Sequence, residues 1–321
     1  MGMEKKTNFN YIKTIADMRS ISAAAEVLGI SQPALSAHLK KLETELGTVL
    51  FDRSSKPLEL TEAGHAYLEY AEKSVALERE LAQSISDIEN LETGNLIIGG
   101  AGFFNLTFLP LAIAEFSKGY PNVSLEIIDD KVPELTKKAL NGAVDLFFTP
   151  AVDDREAFEY EQLLDEKVFL CIPKAWEVND RLKAKAIGRK DIANADSSVQ
   201  FPTLTAREFK ALQDSTFITL KENQQIGQIM RELFDKFGFE PKKTIVSEQT
   251  LTSMGLASAG AGVCLLTETS IRSGHARNLL TYYLPDREIC RRSIYIAYPK
   301  NRRLSKAAQE FIEILKQINS K

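Results

Sequence analysis

The first sixty residues carry short apolar stripes at helical spacing, separated by single polar breaks. Phe9, Ile12, Ile15, Ala16 and Met18 predict a first helix that ends near Arg19 and Ser20. Ala24, Ala25, Val27 and Leu28 predict a second, capped by Ser22 and stopped by Gly29. Leu35, Leu39, Leu42 and Leu46 predict a third, capped by Ser31 and ended by Gly47. Two apolar runs, residues 49–51 and 58–60, flank a polar Ser-Ser-Lys-Pro tip and predict a hairpin. Thr61 then opens a helical pattern that reaches about Leu91. Leu68, Val75, Leu81, Ile85, Ile88 and Leu91 recur along it among many charges. Roughly 30 helical residues make a rod of roughly 45 Å. A stripe that long, with so little neighbouring core, is expected to be buried by a partner helix.

From Gly94 the pattern changes. Apolar runs of strand length, "NLIIGG", "VSLEII" and "VDLFFT", alternate with helical stretches at residues 106–118 and 134–141. "KVFLCIP" is a further strand, and residues 176–213 are polar with no clear period. "STFITL", a helix over 224–237, "KTIVSE", a helix over 251–259 and "AGVCLL" form a second set; "RRSIYIAYP" and a helix over 306–318 close the chain. Strands alternating with helices predict a largely parallel α/β sheet. Two such sets in sequence predict two subdomains with a cleft between them. The expected division is residues 1–61, a linker helix over 62–93, and an α/β region over 94–321. Its first subdomain takes about 94–170 plus 270–321, and its second about 171–269.

The 321 residues exceed the usual single-domain size, and 44% apolar with 26% charged is ordinary for a globular protein. Three cysteines (Cys171, Cys264, Cys290) lie far apart with no C-x-x-C, and there are three histidines (His38, His65, His275), so neither a zinc site nor a disulfide framework is expected. No signal-peptide core or bilayer-length apolar run is present, which predicts a cytoplasmic protein without membrane contact. No nucleophile motif accompanies the histidines, and no cofactor is expected. The net charge of −4 excludes a globally basic nucleic-acid binder. Residues 1–70 hold eight Lys/Arg against nine Asp/Glu, so any DNA contact must come from a local patch.

Two short helices separated by "GIS", with a third opened by a cap, fit a helix-turn-helix whose third helix enters the major groove. Its opening, "ISQPALSAHLKKLE", suits that task. Ser31 caps, and Pro33 in the first turn sacrifices no helical hydrogen bond. Gln32 and Ser36 offer donors and acceptors to bases or phosphates, and Ala34 and Ala37 leave room for close approach. His38 is a candidate base reader. Lys40, and Arg53 and Lys56 of the hairpin, are candidate phosphate contacts.

The stretch "SISAAAEVLGISQPALSAHLKKLETELGTVLFDRSSKPLELTEAG" resembles the winged helix-turn-helix of LysR-type transcriptional regulators. The hallmarks are the alanine-rich second helix, S-Q-P-A-L-S, L-E…E-L-G, L-F-x-R and L-T-x-A-G, in that order. "GNLIIGG", "FSKGYPNVSLEI" and "LASAGAGVCLL" extend the resemblance through the chain. It departs in three places: Ala37-His38 stand where the family often has a basic or amide residue, Thr267 stands where it often has proline, and the polar stretch 183–209 does not align with the shorter family pattern. The resemblance implies a winged helix-turn-helix, a long linker helix, and a two-subdomain effector domain like the type 2 periplasmic binding proteins. It implies double-stranded DNA as partner, a homodimer or homotetramer, RNA polymerase as a further partner, and a small effector.

The effector loops implied are those after three strands, and their candidate contacts are Ala101, Gly102, Phe103, Asn105, Thr149, Lys221, Asn223, Gln249 and Thr250. Helix N-termini and Lys221 there favour an anion, and Phe103-Phe104 favour an apolar or aromatic body. One alternative is a ligand-binding module without DNA activity. A competing NAD-binding oxidoreductase reading starts from Gly100-Ala101-Gly102, which resembles the opening of a dinucleotide fingerprint, with Asp129-Asp130 ending the next strand. It expects a third glycine where Asn105 stands, and an uninterrupted helix where Pro110 stands. A peroxide-sensing relative would need a reactive cysteine pair in the second subdomain. Cys171 and Cys264 lie in apolar strand patterns, which predicts inert core thiols.

Overall fold

The computed structural model describes residues 2–88, 94–195, 199–273 and 278–319. Helices α1 (Gly2–Met18), α2 (Ile21–Leu28) and α3 (Gln32–Leu46) pack around Ile12, Ile15, Ala24, Ala25, Leu35, Leu39 and Leu42. The second helix starts two residues earlier than its sequence suggests. Its cap is Ser20, whose hydroxyl accepts from Ala23 N at 3.4 Å, and not Ser22. Ser31 caps α3 in the same way through Ala34 N. Gly29 and Gly47 end α2 and α3 at φ of +67° and +69°, the left-handed conformation that favours glycine.

The hairpin strands are short, β1 (Phe51–Asp52) and β2 (Glu59–Leu60), paired antiparallel. Thr61 ties their base to the next helix: its hydroxyl donates to Val49 O at 2.8 Å and accepts from Gly64 N at 3.0 Å. A Cβ on Gly64 would lie 2.1 Å from Leu50 O, so only glycine lets α4 (Glu62–Ile88) pass this close to the hairpin. Along α4, Tyr70, Leu77, Leu81 and Ile85 are exposed at 51–64%. The expected Ile88 side chain and Leu91 lie outside the described residues.

Among the described residues, nine strands form the remaining sheet. The first lobe orders β4 (Val123–Asp129), β3 (Gly94–Gly100), β5 (Leu146–Thr149), β11 (Arg291–Pro299) and β6 (Phe158–Pro173). The second continues from β6 to β9 (Val263–Thr267), β7 (Thr216–Leu220) and β8 (Lys243–Ser247), with β10 (Leu280–Tyr283) paired to β6. In each lobe three strands run parallel and the neighbour that joins the other lobe runs antiparallel. Strand alternation divides the first lobe's core. Leu96, Ile98, Leu146, Phe148, Ile294 and Ile296 face α5 (Gly102–Gly119) and α13 (Lys306–Asn319), whereas Ile97, Phe147 and Ala297 face α6 (Val132–Leu140). Five phenylalanines (Phe209, Phe217, Phe234, Phe237, Phe239) cluster in the second lobe.

Several local expectations need correction. Helix α5 begins at Gly102, not near 106, and runs through Pro110. Pro110 and its neighbour Leu111 are exposed, so the ring forfeits one hydrogen bond without opening the core. Strand β6 begins at Phe158, nine residues before "KVFLCIP". Its polar first half is held by pairing with β11 rather than by burial of both faces. The described residues of the stretch 176–213 include α7 (Val178–Leu182), α8 (Arg189–Asn194) and α9 (Ala206–Lys210). The chain returns to the first lobe at Cys290–Arg291 rather than near residue 270. α12 (Glu268–Arg272) and β10 intervene, with β10 and Cys290 in the second lobe's core.

Candidate DNA interface and interlobe site

Helix α3 has two faces. Leu35, Leu39 and Leu42 are buried, while Ser31, Gln32, Pro33, Ala34, Ala37 and Lys40 are exposed. Gln32 Nε2 donates to Ser36 Oγ at 3.1 Å, so the two polar groups one turn apart hold each other on the exposed side. His38 points elsewhere. Its Nε2 lies 2.6 Å from Oδ1 of Asn8, and its ring meets Tyr11 edge-on at 4.9 Å, so it braces α3 against α1.

Arg53 is also engaged, donating from Nη2 to Glu43 Oε2 at 2.9 Å. Glu43 is buried, and its other oxygen accepts from Leu50 N at 2.8 Å. This carboxylate therefore fastens the hairpin to α3, and Arg53, still 57% exposed, stands at the edge of that junction. Lys56 is exposed at the hairpin tip. The Ser54 hydroxyl and amide donate to Asp52 and hold its carboxyl below the usual range, so the tip also carries a firm negative charge.

At the lobe junction, α5, α10 (Gln225–Phe237) and α11 (Thr250–Ser258) start from the carboxyl ends of β3, β7 and β8. Their N-cap residues, Ala101, Gln224 and Gln249, make no side-chain cap, unlike Ser20, Ser31 and Thr267 at other helices. Gly102 and Phe103 form the first turn of α5, and Thr250 that of α11. Asn105 Nδ2 donates back to Gly100 O at 2.8 Å. Thr149 is buried, with its hydroxyl bonded to the amide and carbonyl of Ala151. Asn223 is exposed.

Lys221 is not a free cation. It pairs with Glu248, and Lys131 of the first lobe approaches the same carboxylate at 3.9 Å across the junction. These two lysines hold the Glu248 carboxyl below its usual range. The lobes meet again where Gln225 Nε2 donates to Pro150 O at 3.4 Å.

Four polar residues at this junction were not legible as such in the sequence: Gln224, Gln225, Glu166 and Arg292. Glu166 Oε1 and Arg292 Nε are 2.6 Å apart and both side chains are almost fully buried. The signal for Arg292 was present. It occupies the same face of β11 as the core residues Ile294 and Ile296, where a charge is out of place.

Among the described residues no group of side chains could hold a metal ion, and no helix is long and apolar enough to cross a membrane.

Two family models match. "Bacterial regulatory helix-turn-helix protein, lysR family" covers residues 7–65, and "LysR substrate binding domain" covers residues 89–319. The chain is 29% identical over 259 residues to a probable RuBisCO transcriptional regulator of Trieres chinensis, covering 77% of each chain. It is 27% identical to the HTH-type transcriptional regulator YybE of Bacillus subtilis (strain 168), covering 94% of each. CbnR, a LysR family transcriptional regulator of known crystal structure, shares the fold with a TM-score of 0.67 at 19% identity, over 98% of this chain and 99% of that one. These matches displace the dinucleotide-enzyme alternative. With a family model over most of its length and a lysR-type helix-turn-helix ahead of it, this chain belongs to the LysR family of transcriptional regulators.

Proposed function

We propose that residues 1–61 read an operator through the exposed first turns of α3, that residues 62–93 pair two chains, and that residues 94–321 bind a small effector between the lobes. One observation carries the DNA reading. The apolar stripe of α3 is buried, and its opposite face offers Ser31, Gln32, Pro33, Ala34 and Ala37 to solvent, with Ser36 beside Gln32. A helix opened by small and polar groups can lie close to base edges in the major groove. Lys40, Arg53 and Lys56 flank it as phosphate contacts. His38 serves as a brace between α1 and α3 rather than as a reader.

The exposed Leu77, Leu81 and Ile85 of α4 supply the seam for a second copy. Dimers, or tetramers built from them, present two or more heads to successive half-sites, which multiplies a weak local patch. The helix N-termini at Ala101, Gln224 and Gln249, which follow the carboxyl ends of β3, β7 and β8 and carry no side-chain cap, favour an anionic effector. Effector binding alters the lobe angle, hence the spacing of the heads and their presentation to RNA polymerase.

The test is selection of bound genomic fragments by the purified protein, followed by titration of the selected operator with Gln32→Ala and Ser36→Ala. Each substitution is expected to cost about 1–3 kcal/mol of operator affinity without unfolding the domain. Unchanged affinity in both would count against the docking.

A further inference from the structure

The two chain crossings between the lobes lie side by side. Strand β6 pairs with β11 as far as Lys167↔Arg291, and from Val168 onward it pairs with β9. At this switch Glu166 and Arg292 are direct cross-strand partners. Both oxygens of Glu166 are in use: Oε1 takes Arg292 Nε, and Oε2 accepts from Thr269 N at 2.9 Å at the start of α12. The arginine is less fully matched. Its Nη2 is buried without a hydrogen-bond partner, although its side chain is only 6% exposed. Register places it at the lobe junction. Thr149, the last residue of β5, pairs with Tyr295, so β11 residues before Tyr295 run on past the carboxyl end of the parallel strands. The guanidinium carbon stands 5.8 Å from the ring centroid of Phe104, in the first turn of α5, and Phe103 meets that ring edge-on.

We propose that Arg292 is the anion-reading residue of the interlobe site, and that the effector it selects is a small carboxylate with an apolar or aromatic body. This rests on the interlobe reading above and moves the charge recognition from Lys221 to the hinge. Lys221 is already matched by Glu248, whereas a buried guanidinium with an idle Nη2 offers a directed donor to a carboxylate oxygen. An unmatched buried donor carries a desolvation cost that an acceptor removes. The half-buried ring of Phe103, set edge-on to the core ring of Phe104 on which the guanidinium rests, favours an apolar body over a hydrated one. Because Glu166 also holds the α12 N-terminus, a carboxylate on Arg292 acts at the point where the two lobes are joined.

The experiment uses the full chain, with benzoate as the probe and benzamide as its neutral counterpart. Thermal unfolding and equilibrium binding are followed for the wild type, Arg292→Gln, the double variant Glu166→Gln/Arg292→Gln, and Gln225→Leu in the second lobe. The double variant removes both buried charges together, so it addresses any folding defect of Arg292→Gln alone. The expected result is that benzoate stabilises the wild type and benzamide does not. Both arginine variants should bind benzoate about ten- to a hundredfold more weakly, the range for a charge-assisted hydrogen bond.

Benzoate binding weakened by Gln225→Leu but unchanged in both arginine variants overturns the role of Arg292 and leaves the interlobe site standing. Benzoate binding indifferent to all three variants overturns the interlobe reading itself. Equal binding of benzamide and benzoate, or no response of the wild type to benzoate, overturns the carboxylate class.

Discussion

Nε2 of His38 lies 2.6 Å from Oδ1 of Asn8, thirty positions earlier in the chain. The contact joins α3 to α1, and the Tyr11 ring meets the imidazole edge-on. If His38 braces rather than reads, His38→Ala should lower the stability of the DNA-binding domain by about 1 kcal/mol, as for one lost hydrogen bond. Asn8→Ala should do the same, and the double variant should cost less than the sum of the two. Urea unfolding of the four proteins measures this coupling. Additive losses would show that the contact carries no energy.

Glu43 is the buried anchor of the hairpin, so Glu43→Ala leaves the Leu50 amide without an acceptor and Arg53 without its partner. A loss of about 1–3 kcal/mol is expected in urea unfolding.

Lys56 is exposed at the hairpin tip. On operator DNA, Lys56→Ala should make the salt slope of log affinity shallower by about 0.9 for each phosphate the lysine neutralises in the wild type. Operator titrations over a series of salt concentrations give this slope directly. An unchanged slope places the tip away from the backbone.

Leu77 and Leu81 stand about 60% exposed on α4. Leu77→Glu/Leu81→Glu places charge on the proposed seam and should convert the assembly to monomers, read by sedimentation velocity. Operator affinity should fall with it, because two tethered heads become one.

Glu161 reports on acid stability. Burial would raise its carboxyl, but Lys316, at 2.5 Å, and the Tyr298 hydroxyl, at 2.7 Å, hold it below the usual glutamate value of 4.5. A depressed folded-state value contributes stability above pH 4.5, which is lost as pH falls through the folded value. Wild type should therefore exceed Glu161→Gln in denaturation midpoint at neutral pH, and the gap should close as the solution is acidified below 4.5. A gap independent of pH would rule out this origin.

Cys171 and Cys264 are direct neighbours across β6 and β9, and both are fully buried. Burial pushes the Cys171 thiol well above its usual range and that of Cys290 up to about 12. Thiol reagents and mild peroxide should leave all three unmodified in the folded protein, and labelling should appear only on denaturation. Rapid disulfide formation between Cys171 and Cys264 in mass spectra would contradict this.

Much of the DNA-binding region was legible along the chain because its signals are local. The Ser31 cap, Pro33, the leucine stripe and Gly47 lie within a few turns and state the helix, its ends and its buried face. Local signals compete at the start of α2. Ser20 and Ser22 both offer a capping hydroxyl one or two residues from the apolar run, and α2, packed against α1 and α3, starts from Ser20. The polar first half of β6 lacks an apolar run because β11 holds its backbone.

The chain by itself determined the family, the order of helices and strands, and which face of each element is apolar, since periodicity and caps encode these within a few residues. Tertiary structure alone decided which polar groups remain available. His38 is taken up by Asn8, Lys221 by Glu248, and Glu166 by Arg292 from 126 positions away, while Arg292 keeps an idle donor. The energy of a charge depends on its burial and its partner, and both are set by chain segments that meet only in the folded protein.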